Sequence, residues 1–282
     1  MSHHPTIPTQ SGTILITGAS GLVGARLLPR LVEAGANCRV LLRGERAAPA
    51  GSVAVAGDLL DPASLAAAVT GVSAIIHLAA VFRTPDADSI WKCNFDGTRN
   101  LIAAAKIHAP GARFIMASSS HVYNADSPRP GREEDDAAPK LAYPASKLAA
   151  EKELRASGLN WSVLRFGFVY GDGDGHLEAL PGLAVKVKLH PAQRLSLVHH
   201  RDVAAAVRLA LDGAMDGRVV NITDEAPSSI YELARLVGVE PASSAEPLIN
   251  PWHLQMDGAL ARRLGFRPAV RTVYQAAQEN WL

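Results

Sequence analysis

Thr13-Ile14-Leu15-Ile16-Thr17-Gly18-Ala19-Ser20-Gly21-Leu22-Val23-Gly24 is the stretch that decides the fold of this chain. Thr13 to Thr17 is a short β-branched apolar run bounded by turn residues, the pattern of a strand buried on both faces. Leu22, Val23, Leu27, Leu28, Leu31 and Val32 then recur at helical spacing, and Gly35 reads as the stop. Gly18 and Gly21 therefore fall in a strand-to-helix turn, together with Ser20, Leu22 and Val23. There, backbone amides and the positive end of a helix can face a dinucleotide pyrophosphate with no side chain between. Gly24 reads as one turn into the helix, where a missing side chain lets it pack closely on the sheet. A tight turn that binds nothing carries the same glycines, so the rest of the chain has to decide between the two.

Outward from this turn, strand and helix patterns alternate. Cys38–Leu42, Val53–Ala56, Ala74–Leu78, Arg113–Ser118 and Trp161–Phe166 read as strands; helices are expected to start near Asp61-Pro62 and to span Asp88 to Ile107. Such alternation predicts an α/β, Rossmann-type doubly wound parallel sheet with right-handed crossovers. The expected organisation is a flexible tail over residues 1–12, a dinucleotide-binding domain over 13–170, and a smaller substrate lobe over 171–282. Elements at about 195–222 are expected to return to the sheet. Asn124 to Ala142, rich in Pro, Asp and Glu, reads as a loop over the site, and its run Glu133-Glu134-Asp135-Asp136 reads as a solvated face rather than a metal centre.

Tyr143-Pro144-Ala145-Ser146-Lys147 supplies candidate chemistry. Pro144 suits the first position of a helix, which sets Tyr143 at the helix start with Lys147, four residues on, along the same face. A free phenol titrates near ~10; a nearby ammonium and a helix N-terminus both favour phenolate and bring the group toward a useful proton-transfer range. Alone, the pair is equally well a surface tyrosine and lysine. Ser118, Ser119 and Ser120 close the set, because hydroxyls at the carboxyl end of a parallel strand lie where open α/β sheets take ligands.

Taken together, the chain resembles the short-chain dehydrogenase/reductase superfamily in its extended, epimerase/dehydratase-like branch, from Thr13 to about Gly265. Asp58-Leu59 resembles the family's adenine contact. His77-Leu78-Ala79-Ala80 resembles the segment beneath the adenine ribose, and Asn94-Phe95-Asp96-Gly97-Thr98 resembles its Asn-Val-x-Gly-Thr segment. Ser118-Ser119-x-x-Val122-Tyr123 matches the active-site strand end and aligns the catalytic hydroxyl with Ser119. Leu164 to Gly171 and Val198 to Val203 resemble two later blocks. The resemblance implies catalytic Ser119, Tyr143 and Lys147. It implies nicotinamide-dinucleotide contacts from Gly18, Ser20, Gly21, Leu22, Val23, Asp58, Leu59, Leu78, Ala79, Ala80, Asn94, Ser118, Tyr143 and Lys147. It also implies a homodimer built on the helices near Asp88–Ile107 and Tyr143–Ala156.

Cofactor choice is read at the end of the second strand. Arg43-Gly44-Glu45-Arg46 stands where an NAD-preferring site usually offers an acid to the ribose hydroxyls. The guanidinium forks of Arg43 and Arg46 suit a 2′-phosphate, which favours NADP over NAD, while Glu45 keeps the ribose role open. On the substrate side the chain departs from sugar-nucleotide members of the family. It has Phe168 where they commonly carry asparagine, and Leu195 where they carry arginine, with Arg194 one place out of register. A smaller or more apolar carbonyl or alcohol is expected, lined by Phe82, Ser120, His121, Phe168 and His176. Gly171 to Gln193 reads either as a flap over this ligand or as a packing lobe. Asp202 reads as a helix cap.

Composition excludes other classes. The 282 residues are 48% hydrophobic, with 28 basic and 27 acidic residues and a formal charge of +1. No basic block with interleaved aromatics suggests nucleic acid, and no apolar run suggests a membrane span or signal peptide. Irregular histidine spacing gives no metal site. Two cysteines in no redox spacing suit a reducing cytoplasm. The leading expectation is an NADP(H)-dependent oxidoreductase interconverting a ketone or aldehyde and an alcohol. The alternatives are an epimerase or dehydratase that returns its hydride to a sugar-like substrate, and a non-catalytic nucleotide sensor.

Overall fold

The structure, a computed structural model, describes residues 12–44 and 46–282. In chain order the first elements are β1 (Thr13–Thr17), α1 (Gly24–Glu33), β2 (Asn37–Leu42), β3 (Ser52–Ala56), α2 (Pro62–Val69) and β4 (Val72–His77). Next come α3 (Ala87–Trp91), a π-turn (Lys92–Asp96), α4 (Gly97–His108), β5 (Arg113–Ser119), a 3₁₀ turn (Ser120–Val122), α5 (Ala142–Arg155) and β6 (Asn160–Phe166). The remainder contributes β7 (Phe168–Tyr170), α6 (His176–Lys186), β8 (Arg194–Leu195), β9 (Leu197–His199), α7 (His200–Leu211), β10 (Arg218–Ile222), β11 (Ser228–Ser229) and three short helices. A seven-stranded sheet runs β3-β2-β1-β4-β5-β6-β10. The pairings β3–β2, β2–β1, β1–β4 and β4–β5 are all parallel. The order reverses between β1 and β4, the switch point at which an open α/β sheet leaves a crevice for ligand.

Burial explains why these runs are strands. Leu15, Ile16, Ile75 and Ile76 are completely buried, with helices required on both faces of the sheet. Each such side chain contributes about 1.5–3 kcal/mol relative to exposure. The β1–α1 turn is shaped by two glycines. Gly18 has φ 74°, and a Cβ there would lie 2.6 Å from the Ala79 amide nitrogen; a Cβ on Gly24 would collide with the Gly18 carbonyl oxygen. Helix α1 runs from Gly24, with Val23 already at helical φ and ψ and Gly21 O accepting from Ala25 N at 2.9 Å. The helix expected from Asp88 to Ile107 is continuous but includes the wide π-turn at Lys92–Asp96.

The described residues divide into two compact units: 12–118 with Lys140–Val163 and Val207–Arg218, and Ser119–Pro139 with Leu164–Ala206 and Val219–Leu282; the expected tail, up to residue 11, lies outside the described residues. Contacts inside each unit explain its membership. In the first, Arg113 is paired through two hydrogen bonds with Asp216 at 2.7 and 2.9 Å and donates to Leu211 O, while Ser162 donates to Met215 O. Those contacts recruit the end of α7 and the turn after it. In the second, Tyr123 donates to Asn221 Oδ1 at 2.6 Å, Arg165 donates to Tyr123, and Asn221 Nδ2 donates to Gly131 O and Asp257 O. Asn221 thus draws the loop after β5 into that unit.

The second unit has its own core, in which Leu177, Leu180 and Ala184 of α6 pack with Tyr170, Leu195, Leu197, Ile230 and Leu233. The apolar side of the expected flap is therefore spent largely on packing, while Val185 and Val187 stay exposed. Asp202 is the third residue of α7, not its cap. Its buried carboxylate accepts from the backbone of Ala269 at 2.6 Å and of Val270 at 3.1 Å, clamping a segment far along the chain. The acidic run 133–136 is also engaged: Glu133 accepts from the Asn221 amide, and Asp135 is paired with Arg129. Among the described residues no group of His, Cys, Asp or Glu stands together to hold a metal ion, and no helix is long and apolar enough to cross a membrane.

Burial pushes Asp202 up to about 6 and Asp224 up to about 8, with the Arg262 guanidinium opposing the shift at both. Unfolded, Asp224 titrates near 3.8. Between these values the folded state holds a proton that the unfolded chain has released, so this contribution favours folding at lower pH and is lost as pH rises toward 8. Urea unfolding at pH 5 and pH 8 is expected to show a larger alkaline loss of stability in the wild type than in Asp224→Asn. Equal losses in the two proteins contradict this assignment.

Candidate active site

The first unit assembles its site around one buried carboxamide. Asn94, fully buried in the π-turn, accepts from Val81 N at 2.7 Å and donates to Val81 O at 2.9 Å. The same amide nitrogen donates to Ser146 Oγ at 3.2 Å, and Ser146 Oγ donates to Tyr143 O at 2.8 Å. The π-turn thereby fastens the loop after β4 and the first turn of α5 to each other. A wide turn inserted in a helix is a recurrent feature of functional sites, because it re-aims a side chain.

A second chain of hydrogen bonds reaches the same point from the sheet. Ala79 N–H approaches Thr17 Oγ1 at 3.4 Å, and Thr17 Oγ1 lies 2.7 Å from His77 Nδ1. His77 Nε2 lies 2.8 Å from Thr98 Oγ1, which donates to Asn94 O at 2.7 Å. Because the only Thr98 hydroxyl proton goes to Asn94, His77 Nε2 must carry a proton and Nδ1 must accept from Thr17. The imidazole is neutral, held down to about 3 by complete burial and by the nearby Lys147 charge.

Helix α5 begins at Ala142 with Leu141 at its cap, one to two residues before the expected start; Ala145 N donates to Leu141 O. Pro144 still lies in the first turn, where its missing N–H costs nothing. Tyr143 is half-buried, and its ring centroid lies 4.4 Å from that of Phe82 at an interplanar angle of 42°. Lys147, one turn on, is only 2% exposed. Burial pushes its ammonium down to about 8, while the carboxylate of Glu151 favours the charged form. Glu151 is completely buried and accepts a hydrogen bond from Ser118 Oγ. Ser118 is thus turned to Glu151.

The residues expected to hold the dinucleotide occupy the carboxyl end of the sheet in this unit. Ser20, Gly21 and Leu22 are exposed at the β1–α1 turn, whose Gly18 is set tightly against Ala79. Arg43 and Arg46 are exposed after β2; Glu45 lies outside the described residues. Asp58 accepts from Leu60 N, Leu59 is buried against Gly97, and Leu59 O accepts from Asn100. Leu78 N donates to Thr17 O, and Ala80 is exposed. Burial pushes the Cys93 thiol in the π-turn up, opposed by the charges of Lys147 and Arg43 and reinforced by that of Asp58. Gly18 and Gly24 are packed against backbone, at Ala79 and at the Gly18 carbonyl, which leaves the turn Ser20-Gly21-Leu22 exposed, with no side chain on Gly21 to bar an anionic group from the backbone there. The Asn94 amide is committed to Val81 and Ser146, through which it joins two segments of the site.

The second unit carries the remaining candidates. Ser119, the last residue of β5, accepts from His121 N at 3.2 Å; Ser119 and Ser120 are buried, and His121 is exposed on the 3₁₀ turn. Phe168 and His176 are brought together, their rings stacked with centroids 4.1 Å apart at 26°. His176 Nδ1 lies 2.7 Å from Val169 O, which makes Nδ1 the protonated nitrogen, and Asp174 accepts from His176 N while holding buried His200.

Residues 14–223 match the NAD dependent epimerase/dehydratase family. The chain belongs to that family. It is an enzyme of the short-chain dehydrogenase/reductase superfamily. A 3-beta-hydroxysteroid dehydrogenase of Mycolicibacterium neoaurum is 29% identical over 83% of this chain and 72% of its own length. A dTDP-6-deoxy-L-talose 4-dehydrogenase (NAD(P)(+)) of Kitasatospora kifunensis is 29% identical over 97% of this chain and 96% of its own. A short-chain dehydrogenase/reductase superfamily protein from Agrobacterium tumefaciens with bound NAD superposes with a TM-score of 0.77 at 25% identity, covering 95% of each chain.

Sequence reasoning names the turn glycines, Tyr143 and Lys147 as candidates and does not name Glu151, Ser146 or the Thr17–His77–Thr98 chain of hydrogen bonds. Glu151 left a signal: an acid one helical turn beyond the lysine, on the same face. Replacing it tests what it does. In Glu151→Gln the Lys147 ammonium, followed by NMR titration, is expected to deprotonate about one pH unit lower, since its opposite charge is gone. An unmoved titration contradicts the pairing.

Proposed function

We propose that this family member is an NADP(H)-preferring oxidoreductase that interconverts a ketone or aldehyde and an alcohol. The observation that carries the reading is a lysine buried to 2% exposure one helical turn from Tyr143. Burying an ammonium is costly without a task or a partner, and here Glu151 keeps it charged beneath the phenol. In this reading Tyr143 passes a proton to the substrate oxygen, or takes one from it, and Ser119 hydrogen-bonds the same oxygen. Lys147 holds the nicotinamide ribose and favours the phenolate. The nicotinamide, when bound, supplies or accepts the hydride. Gly18, Ser20, Gly21, Leu22 and Val23 cradle the pyrophosphate; Asp58, Leu59, Leu78, Ala79 and Ala80 line the adenosine side; Asn94 positions the last of these through Val81.

NADP preference is supported by Arg43 and Arg46, both exposed after β2 and suited to a 2′-phosphate. The family match favours the second reading, an epimerase or dehydratase, and the dehydrogenase that matches nearly the whole chain, named for a dTDP-sugar, favours a sugar-like substrate. Against it, Phe168 is stacked on His176 and Leu195 is buried, so neither position offers a polar group to a nucleotide diphosphate. Substrate contacts are assigned to Phe82, Ser120, His121, Phe168 and His176, and the enzyme is read as a cytoplasmic homodimer.

Tyr143→Phe tests the chemistry. Turnover, followed as net change in reduced-nicotinamide absorbance, is expected to fall about 10³-fold, within the range of a lost general acid–base group. Nucleotide affinity, by fluorescence titration, is expected to hold within about threefold, because the lost hydroxyl acts on the substrate oxygen. Undiminished turnover in this variant contradicts the assignment, and turnover of substrate with no net absorbance change selects the epimerase reading.

A further inference from the structure

We propose that Phe82 is the specificity wall of this enzyme, selecting carbonyl compounds and alcohols whose reacting carbon carries a flat apolar, above all aromatic, substituent. The proposal rests on the oxidoreductase reading and on the first unit alone. Three observations place the ring and hold it. Val81, its neighbour, is pinned through both N–H and C=O by Asn94, which also anchors the first turn of α5 through Ser146. The Phe82 ring therefore has a set position against the Tyr143 ring, 4.4 Å between centroids. On its chain neighbour Arg83, φ is 64°, a left-handed conformation that an arginine adopts at a cost, and the guanidinium carbon sits 5.2 Å from the Phe82 centroid. Backbone strain of this kind persists where surrounding structure over-determines it, and it clusters at ligand sites.

Despite these contacts Phe82 is 44% exposed. A core phenylalanine would be covered; this one presents apolar surface beside the ring of Tyr143, whose hydroxyl exchanges the proton in that reading. Any substrate oxygen within hydrogen-bond reach of Tyr143 brings its neighbouring carbon substituent toward that surface. A hydroxyl-rich substituent loses water there and finds no hydrogen-bond partner on the ring, which penalises it. A flat apolar substituent gains burial together with ring–ring attraction. The ring thus discriminates through the group attached to the carbonyl and leaves the proton-transfer step itself to Tyr143.

Acetophenone and dihydroxyacetone are the probes, tested by steady-state kinetics on wild type, Phe82→Leu, Phe82→Ser and Phe82→Tyr. Acetophenone is also titrated calorimetrically into the NADP-loaded proteins. Wild type and Phe82→Tyr are expected to prefer acetophenone. Phe82→Ser is expected to lower the ratio of kcat/KM for acetophenone to that for dihydroxyacetone about tenfold, and Phe82→Leu less; acetophenone affinity falls in the same order. The same preference in Phe82→Ser as in wild type, or no binding and no turnover of acetophenone by wild type, overturns the wall. Acetophenone binding that depends on residue 82 with no turnover of either ketone supports the wall and contradicts the oxidoreductase reading instead.

Discussion

The carboxamide of Asn94 is the constraint on which the rest of the first unit depends. It is a planar group with two donors and an acceptor, wholly buried, and it spends them on both backbone groups of Val81 and on the Ser146 hydroxyl. Leaving any one of these unpaired in the interior would cost about 1–3 kcal/mol, so the loop after β4 and the start of α5 are coupled through a single side chain. The Thr17–His77–Thr98 chain ends on the carbonyl of the same asparagine and brings the ends of β1 and β4 into that coupling. The result is a polar network with a defined direction in every bond, which specifies one arrangement where an apolar core tolerates several.

Around that network the chemistry is arranged in layers. Lys147 lies beneath the phenol-bearing turn, kept charged by Glu151, and Glu151 is in turn held by Ser118 from the end of β5. Phe82 packs its ring against that of Tyr143, and the backbone of its neighbour Val81 is fixed by the same asparagine. The β1–α1 turn at Gly18 is set against Ala79, two residues before Val81, so the positions proposed to hold the cofactor and those proposed to do chemistry share one backbone segment. A displacement at Val81 is transmitted to both. This economy explains why the π-turn is worth its poorer helix geometry: a regular α-helix would carry residue 94 to a different angle.

Parts of this were legible in the sequence and parts were not, and the distinction is one of range. Gly18, Gly21 and Gly24 are legible because the steric demand of a strand-to-helix turn is local. Tyr143 and Lys147 are legible because four residues make one helical turn. Asn94 reads as a ligand contact because its motif resembles one; its partners lie 13 and 52 residues away and carry no local mark. Asp202 reads as a cap for the same reason, since nothing near it announces backbone amides 67 and 68 residues on. The division into compact units escapes a linear reading because Arg113 and Asp216 meet across 103 residues, and Tyr123 and Asn221 across 98.

Amide hydrogen exchange in Asn94→Ala tests the central claim most directly. If this side chain couples the two segments, exchange at residues 79–83 and 141–147 accelerates together by about tenfold, the loss of roughly one net hydrogen bond at each end, while α2 at Pro62–Val69 exchanges as in the wild type. Unchanged exchange in both segments, or acceleration in one without the other, contradicts the account.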